Sequence, residues 1–257
     1  MIDLCTVTNT KFIKNAIKLA ESYTTNNYSG NIFVYYFNIS DIEINNYKLL
    51  YPHIKFIEIP KFCDYAYNPR IFAYKSFALL DCITNRSDSF LYSDATNLIN
   101  LYMNIETYFL EDRLLLPYND EKLTNKYWTT NICLNKINNN KSNDSIQYWA
   151  GLQGYKNNTI NVKLLTDQYN YMLDPDIAFP DPSMRYPDGQ TSLCIEHRQD
   201  QSVLSILIDK YHVHQSFDME KQKLFGDYQT YQLFDSSYIY NPEKACILSR
   251  YTKNNLS

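Results

Sequence analysis

The sequence predicts an α/β protein with a mainly parallel sheet flanked by helices. Three observations predict it. Through the first hundred residues, short runs rich in β-branched and aromatic residues alternate with segments whose apolar residues share one helical face. That strand–helix–strand order, with helices as crossovers, is what parallel pairing requires. The chain is also long enough, at 257 residues and 45% hydrophobic, to bury a substantial core.

Taken in order, residues 2–8 read as the first strand. A helix follows in which Ile13, Ile17 and Ala20 align at i, i+4 and i+7. Residues 31–38 (NIFVYYFN) form the second strand and 54–59, stopped by Pro60, the third. A helix over about 70–82 aligns Ala73, Phe77 and Leu80, and 89–93 (SFLYS) is a short strand ending at Asp94. Beyond that point the pattern loosens. Residues 114–116 read as a short strand before Pro117, 127–134 fit strand or helix, and 138–143 are a polar loop. Residues 148–155 (YWAGLQGY) read as a strand and about 161–173 as a helix. The four prolines of 174–189 predict a long loop at the site. Residues 201–211 form a helix with Leu204, Leu207, Ile208 and Tyr211 on one side, and 231–240 a last strand. No repeat or linker divides the chain, so residues 1–257 read as one domain.

Composition narrows the chemistry. There are only 5 glycines, Gly30, Gly151, Gly154, Gly189 and Gly226, and none has the spacing of a dinucleotide fingerprint or a P-loop. A phosphate ligand would have to meet side-chain cations or a metal instead. The net charge of −4 argues against nucleic-acid binding, which needs a basic stripe. No stretch approaches the ~20 apolar residues of a membrane span. The start, MIDLCTVTNTKFIK, lacks a basic region followed by a long apolar one, so a cytoplasmic protein is expected. The six cysteines are scattered without a CxxC pair and read as buried free thiols.

Asp94 ends a predicted sheet strand in Leu91-Tyr92-Ser93-Asp94-Ala95-Thr96. Ligands of open α/β sheets bind beyond the carboxyl ends of the strands, so a carboxylate there is placed to work. The same residue could equally cap the following turn. The segment Tyr67-Asn68-Pro69-Arg70-Ile71-Phe72-Ala73-Tyr74-Lys75, then a helix, then the strand ending in Asp94 resembles the GT-A nucleotide-sugar glycosyltransferases. Their pattern is a helix carrying a basic residue, followed by a hydrophobic strand ending in Asp-x-Asp. Two further segments carry the likeness: Tyr148-Trp149-Ala150-Gly151-Leu152-Gln153-Gly154-Tyr155, similar to the strand lining their acceptor side, and Glu196-His197-Arg198-Gln199-Asp200-Gln201, which opens an apolar helix.

The resemblance implies a GT-A, Rossmann-like sheet and transfer of a sugar from a nucleotide-diphosphate donor to a hydroxyl of a glycan or glycoconjugate. A UDP-sugar is the first donor candidate and a GDP-sugar the second. Asp94 would hold Mn²⁺ or Mg²⁺ on the donor diphosphate, although Thr96 stands where the family has a second aspartate. Lys75 and Arg70 would meet the phosphates or the sugar, and Thr6 and Thr8, at the end of the first strand, the nucleotide base. Asp200 would serve as general base, against the reading of an acid that merely suits the first turn of its helix. Trp149, Gln153 and His197 would line the acceptor side, against core packing for Trp149, a solvated strand position for Gln153 and a structural histidine for His197. His212 and His214, two apart, would be a poor metal pair. A rival reading, favoured by Thr96, is a degenerate transferase that binds sugar nucleotide or glycan without turnover. A nucleotidyltransferase would need a glycine-rich basic loop where this chain reads CTVTNTKF.

Overall fold

The computed structural model describes residues 1–25, 29–99, 124–139, 141–178, 194 and 197–211, with the backbone of 247–249. Its strands are β1 (Asp3–Thr8), β2 (Ile32–Tyr36), β3 (Ile54–Glu58), β4 (Ser89–Ser93), β5 (Asn97–Ile99), β6 (Leu152–Lys156) and β7 (Ile247–Ser249). The helices are α1 (Ile13–Thr25), α2 (Asp41–Leu50), α3 (Ala73–Asn85), α4 (Asn125–Trp128), α5 (Asn131–Asn138), α6 (Thr159–Met172), α7 (Pro175–Ala178) and α8 (Gln199–Lys210). Five strands make one sheet in the order β3-β2-β1-β4-β6. The first four run parallel, with Cys5 beside Phe33 on one flank and Tyr92 on the other. The fifth, β6, runs antiparallel to β4 and sets Leu152 against Ser93. A separate pair joins β5 to β7.

Alternation along the strands builds two cores. Leu4, Ile32, Val34 and Leu91 face α1 and pack on Ile13, Ala16, Ile17 and Ala20. Their neighbours Cys5, Val7, Phe33, Tyr35, Phe90 and Tyr92 point the other way, into a layer with residues of α3, α5, α6 and α8. A strand covered on both faces reads as a continuous apolar run, which is why every residue of β1 is buried.

The parallel strands and the sequence of crossovers match the expectation; several boundaries and one helix do not. The sequence reading passes over α2, because only Ile44 of its ten residues is buried while Ile42, Leu49 and Leu50 are exposed. Its start is fixed locally, by the Ser40 hydroxyl accepting from the Glu43 N–H. Helix α3 begins at Ala73 rather than near residue 70, because Phe72 takes a left-handed conformation (φ 61°). The ambiguous stretch 127–134 resolves into α4 and α5, parted by Thr129 and Thr130; the Thr130 hydroxyl caps α5 on Cys133 N. The expected loop at 174–189 opens with α7, and residues 179–189 lie outside the described residues, as do the strands expected at 114–116 and 231–240. Residues 148–151 precede β6 instead of belonging to it. Cys5, Cys82 and Cys133 are buried free thiols, the half-buried Cys63 is free as well, and Cys194 is buried. Among the described residues no helix is long and apolar enough to cross a membrane.

Candidate functional site

The carboxyl end of β4 meets the start of β6, and both are tied there. Asp94 N donates to Gly151 O (2.9 Å) and Asn97 N to Asp94 O (3.0 Å). The Asn97 amide adds bonds to Ser93 Oγ (3.0 Å) and Gly151 O (3.1 Å). The turn after β4 is thus closed by backbone and by Asn97, which leaves the Asp94 carboxylate out of the capping. Its side chain is 40% exposed, and its Oδ1 accepts from the Tyr92 hydroxyl at 2.8 Å. The signal for Tyr92 was present in the sequence: residues two apart on a strand share a side.

Lys75 comes from the first turn of α3 and is 3% exposed. Its Nζ lies 2.9 Å from Asp200 Oδ2 and 3.4 Å from Asp94 Oδ1, and donates to Ala150 O at 3.2 Å. The rings of Phe72 and Tyr92 flank the ammonium at 5.3 and 5.2 Å. Asp200 enters from the first turn of α8, its side chain 6% exposed. The contact with Lys75 is an ion pair off the line of a directed hydrogen bond. One ammonium therefore joins the two carboxylates that the sequence singled out.

Burial alone would lower the Lys75 pKa, but Asp200 and Asp94 outweigh it, and the net shift is upward, toward the charged form. Burial raises the Asp200 pKa, with Lys75 pulling against it. A carboxylate of raised proton affinity is better suited to receive a proton than an exposed one. Burial and the Asp94 charge push the Tyr92 phenol well above its ordinary value, so it stays a neutral donor.

Gln153 is fully buried, not a solvated strand residue. Its Nε2 donates to Ala150 O (2.6 Å) and its Oε1 accepts from the Tyr155 hydroxyl. Ala150 O thus receives both Gln153 and Lys75, and Gln153 acts on the site through that carbonyl. Trp149 stands over Gly151: a Cβ there would come within 2.7 Å of the indole and 2.8 Å of Asp94 Oδ2. The missing side chain is what lets indole and carboxylate converge.

The remaining candidates sit differently. The buried imidazole of His197 spends both nitrogens on backbone: Nδ1 accepts from Thr130 N (3.3 Å) and Nε2 donates to Ile177 O (2.9 Å). Burial lowers its pKa to about 4, and the ring is neutral. It ties α5, α7 and α8 together, which is the structural reading. Thr6 is buried in β1, its hydroxyl without a partner among the described residues, and the Thr8 hydroxyl turns to Asn9 O (3.3 Å). Arg70 is exposed in the turn ahead of α3, where its N–H donates to Asn68 Oδ1 (3.0 Å).

A divalent ion fits poorly here. Asp94 offers one carboxylate whose Oδ1 is already engaged, Thr96 a neutral hydroxyl, and Asp200 is paired with Lys75. Among the described residues no three His, Cys, Asp or Glu side chains gather as ligands. His212 and His214 lie outside the described residues.

No protein-family model matches the sequence, and no curated protein matches it. Solved structures do. The galactosyltransferase LgtC, in complex with donor and acceptor sugar analogues, aligns over 80% of this chain and 70% of its own, at 14% identity and TM-score 0.52. The glycosyltransferase GlyE of Streptococcus pneumoniae TIGR4 aligns over 98% of this chain and 55% of its own, at 11% identity and TM-score 0.56. The bifunctional glycosyltransferase WbbM in its apo form aligns over 98% and 46%, at 13% identity and TM-score 0.53. The chain thus spans about half the length of the GlyE and WbbM chains. The architecture is that of the GT-A glycosyltransferases, as the sequence motifs implied.

Proposed function

We propose that this chain, built on the GT-A glycosyltransferase fold, transfers a sugar from a nucleotide-diphosphate sugar to a hydroxyl of a glycan or glycoconjugate. The observation that carries the proposal is the Asp94–Lys75–Asp200 cluster at the carboxyl edge of the parallel sheet. In open α/β sheets that edge is where ligands bind. The half-exposed face of Asp94, beside Trp149, can accept hydrogen bonds from sugar hydroxyls, and the indole offers an apolar face to a sugar ring. Asp200, of raised proton affinity, is the group to take the acceptor proton as the glycosidic bond forms. Lys75 holds both carboxylates in position and supplies positive charge beside the departing diphosphate. A UDP-sugar is the donor we put first and a GDP-sugar second. The test is a panel of UDP-, GDP- and dTDP-sugars assayed for hydrolysis and for transfer. Turnover of one donor supports the reading.

The tight burial of Asp200 against Lys75 favours a second reading, a binding protein without turnover. Nucleotide-sugar binding with neither hydrolysis nor transfer across the panel would select it.

A further inference from the structure

Two residues ahead of Asp200, Arg198 is held in a way that a surface arginine has no need of. Its guanidinium carbon lies 4.0 Å from the centroid of the Trp128 ring. Its backbone is fixed to the same residue: Arg198 N donates to Trp128 O (3.2 Å) and to Ser202 Oγ (3.1 Å), and Ser202 Oγ donates to Trp128 O (2.7 Å). The next residue, Gln199, is in the left-handed region (φ 35°). The side chain is half-buried, and among the described residues no carboxylate pairs with it. Asp200, two residues further on, is engaged by Lys75. Among the described residues the buried indole N–H of Trp128 also has no acceptor. A guanidinium over an aromatic face keeps its N–H donors for a ligand, and fork-shaped donors match the paired oxygens of phosphate and carboxylate.

We infer that Arg198, laid on Trp128, binds an oxyanion of the substrate. The inference rests on the transferase reading for where that oxyanion comes from: the donor's diphosphate, or an acidic group on the acceptor. It explains how a site without a glycine loop, and with a poor metal donor set, receives a negatively charged substrate.

The test is calorimetry on the full chain at low salt, with inorganic pyrophosphate, UDP and GDP as one set of probes and methyl glucuronide against methyl glucoside as the other. Arg198→Gln should weaken the oxyanions by roughly 10- to 100-fold and leave methyl glucoside unchanged. Arg198→Lys should recover part of the loss, since it restores charge without the fork, and Trp128→Phe should keep most of the binding. A loss confined to pyrophosphate and nucleotides assigns the donor phosphates; a loss confined to the glucuronide assigns an acidic acceptor. The inference is overturned if the native chain binds none of these oxyanions. It is equally overturned if Arg198→Gln and Arg198→Lys both bind them as the native chain does, whatever happens to thermal stability, since a merely structural stack would move only the latter. If Arg198-dependent pyrophosphate binding persists while no sugar nucleotide turns over, the transferase reading fails and this one stands.

Discussion

At the scale of single residues, three side-chain changes separate chemistry from architecture. Asp200→Asn keeps the size of the side chain and removes the base. Transfer should fall by roughly 10²- to 10⁴-fold while UDP or GDP affinity changes little; near-native transfer by a folded Asp200→Asn protein would return Asp200 to a helix-start role. Lys75→Met strips the shared cation from two carboxylates, one of them buried. Breaking a buried pair from one side costs roughly 3–5 kcal/mol, to be read from the denaturant midpoint. Combining it with Asp200→Asn should restore part of that loss, because the uncompensated buried charge is then gone. Gly151→Ala drives a methyl group into the indole of Trp149 and Asp94 Oδ2. The carboxylate and the indole, which packs on the core beneath, must both shift, so the melting temperature should drop while turnover suffers more. Equal losses in both would show that Gly151 serves packing alone.

At the scale of elements, the helices that deliver Lys75 and Asp200 begin alike. Phe72 (φ 61°) precedes α3, and Gln199 (φ 35°) stands one residue before Asp200. A left-handed conformation costs a residue with a Cβ roughly 1–2 kcal/mol, and such outliers persist where the surroundings over-determine them. Gln199→Gly relieves that cost and loosens the unfolded chain, so stability should hold or rise by up to about 1 kcal/mol. Transfer should slow by roughly 10- to 100-fold as the aim of Asp200 relaxes. A stability loss with transfer intact would count against the argument. This scale is also where the sequence was most and least readable. β1, β2 and β4 announce themselves because strands covered on both faces are nearly all apolar, while the edge strand β3 shows as a short run of Ile54, Phe56 and Ile57 before Pro60. α2 does not, because it buries a single residue against the sheet and exposes three large apolar ones. The antiparallel sense of β6 is set by where the chain returns, which local pattern does not encode. The site divides in the same way. Asp94 and Asp200 are legible from their places at a strand end and a helix start. Lys75 sits in FAYKSFALL like a surface lysine, and only partners far along the chain make its burial possible. The two backbone bonds of His197 leave no trace in residue types.

At the scale of the whole molecule, that histidine makes stability depend on pH. His197 locks the start of α5 and the end of α7 to the segment entering α8. Its folded pKa of about 4 lies below the ordinary 6.5. The stabilisation from a neutral ring is complete above pH 6.5, is lost as pH falls from there toward 4, and falls no further below that. The gap corresponds to roughly 3 kcal/mol. Denaturant midpoints of the native chain and of His197→Gln, followed between pH 7 and 4, should converge as the pH drops. Parallel curves would mean that the ring does not titrate on unfolding.

The ion pair between Lys75 and Asp200 spans about 125 residues of chain, and this has a consequence in time. Synthesis proceeds at roughly 5–20 residues per second, so the lysine emerges on the order of ten seconds before its carboxylate does. Until α8 docks, the first four strands can pair, but the amine has only Asp94 for company and no reason to leave water. The cleft is therefore completed among the last events of folding, and a truncated nascent chain would hold a sheet but not a site.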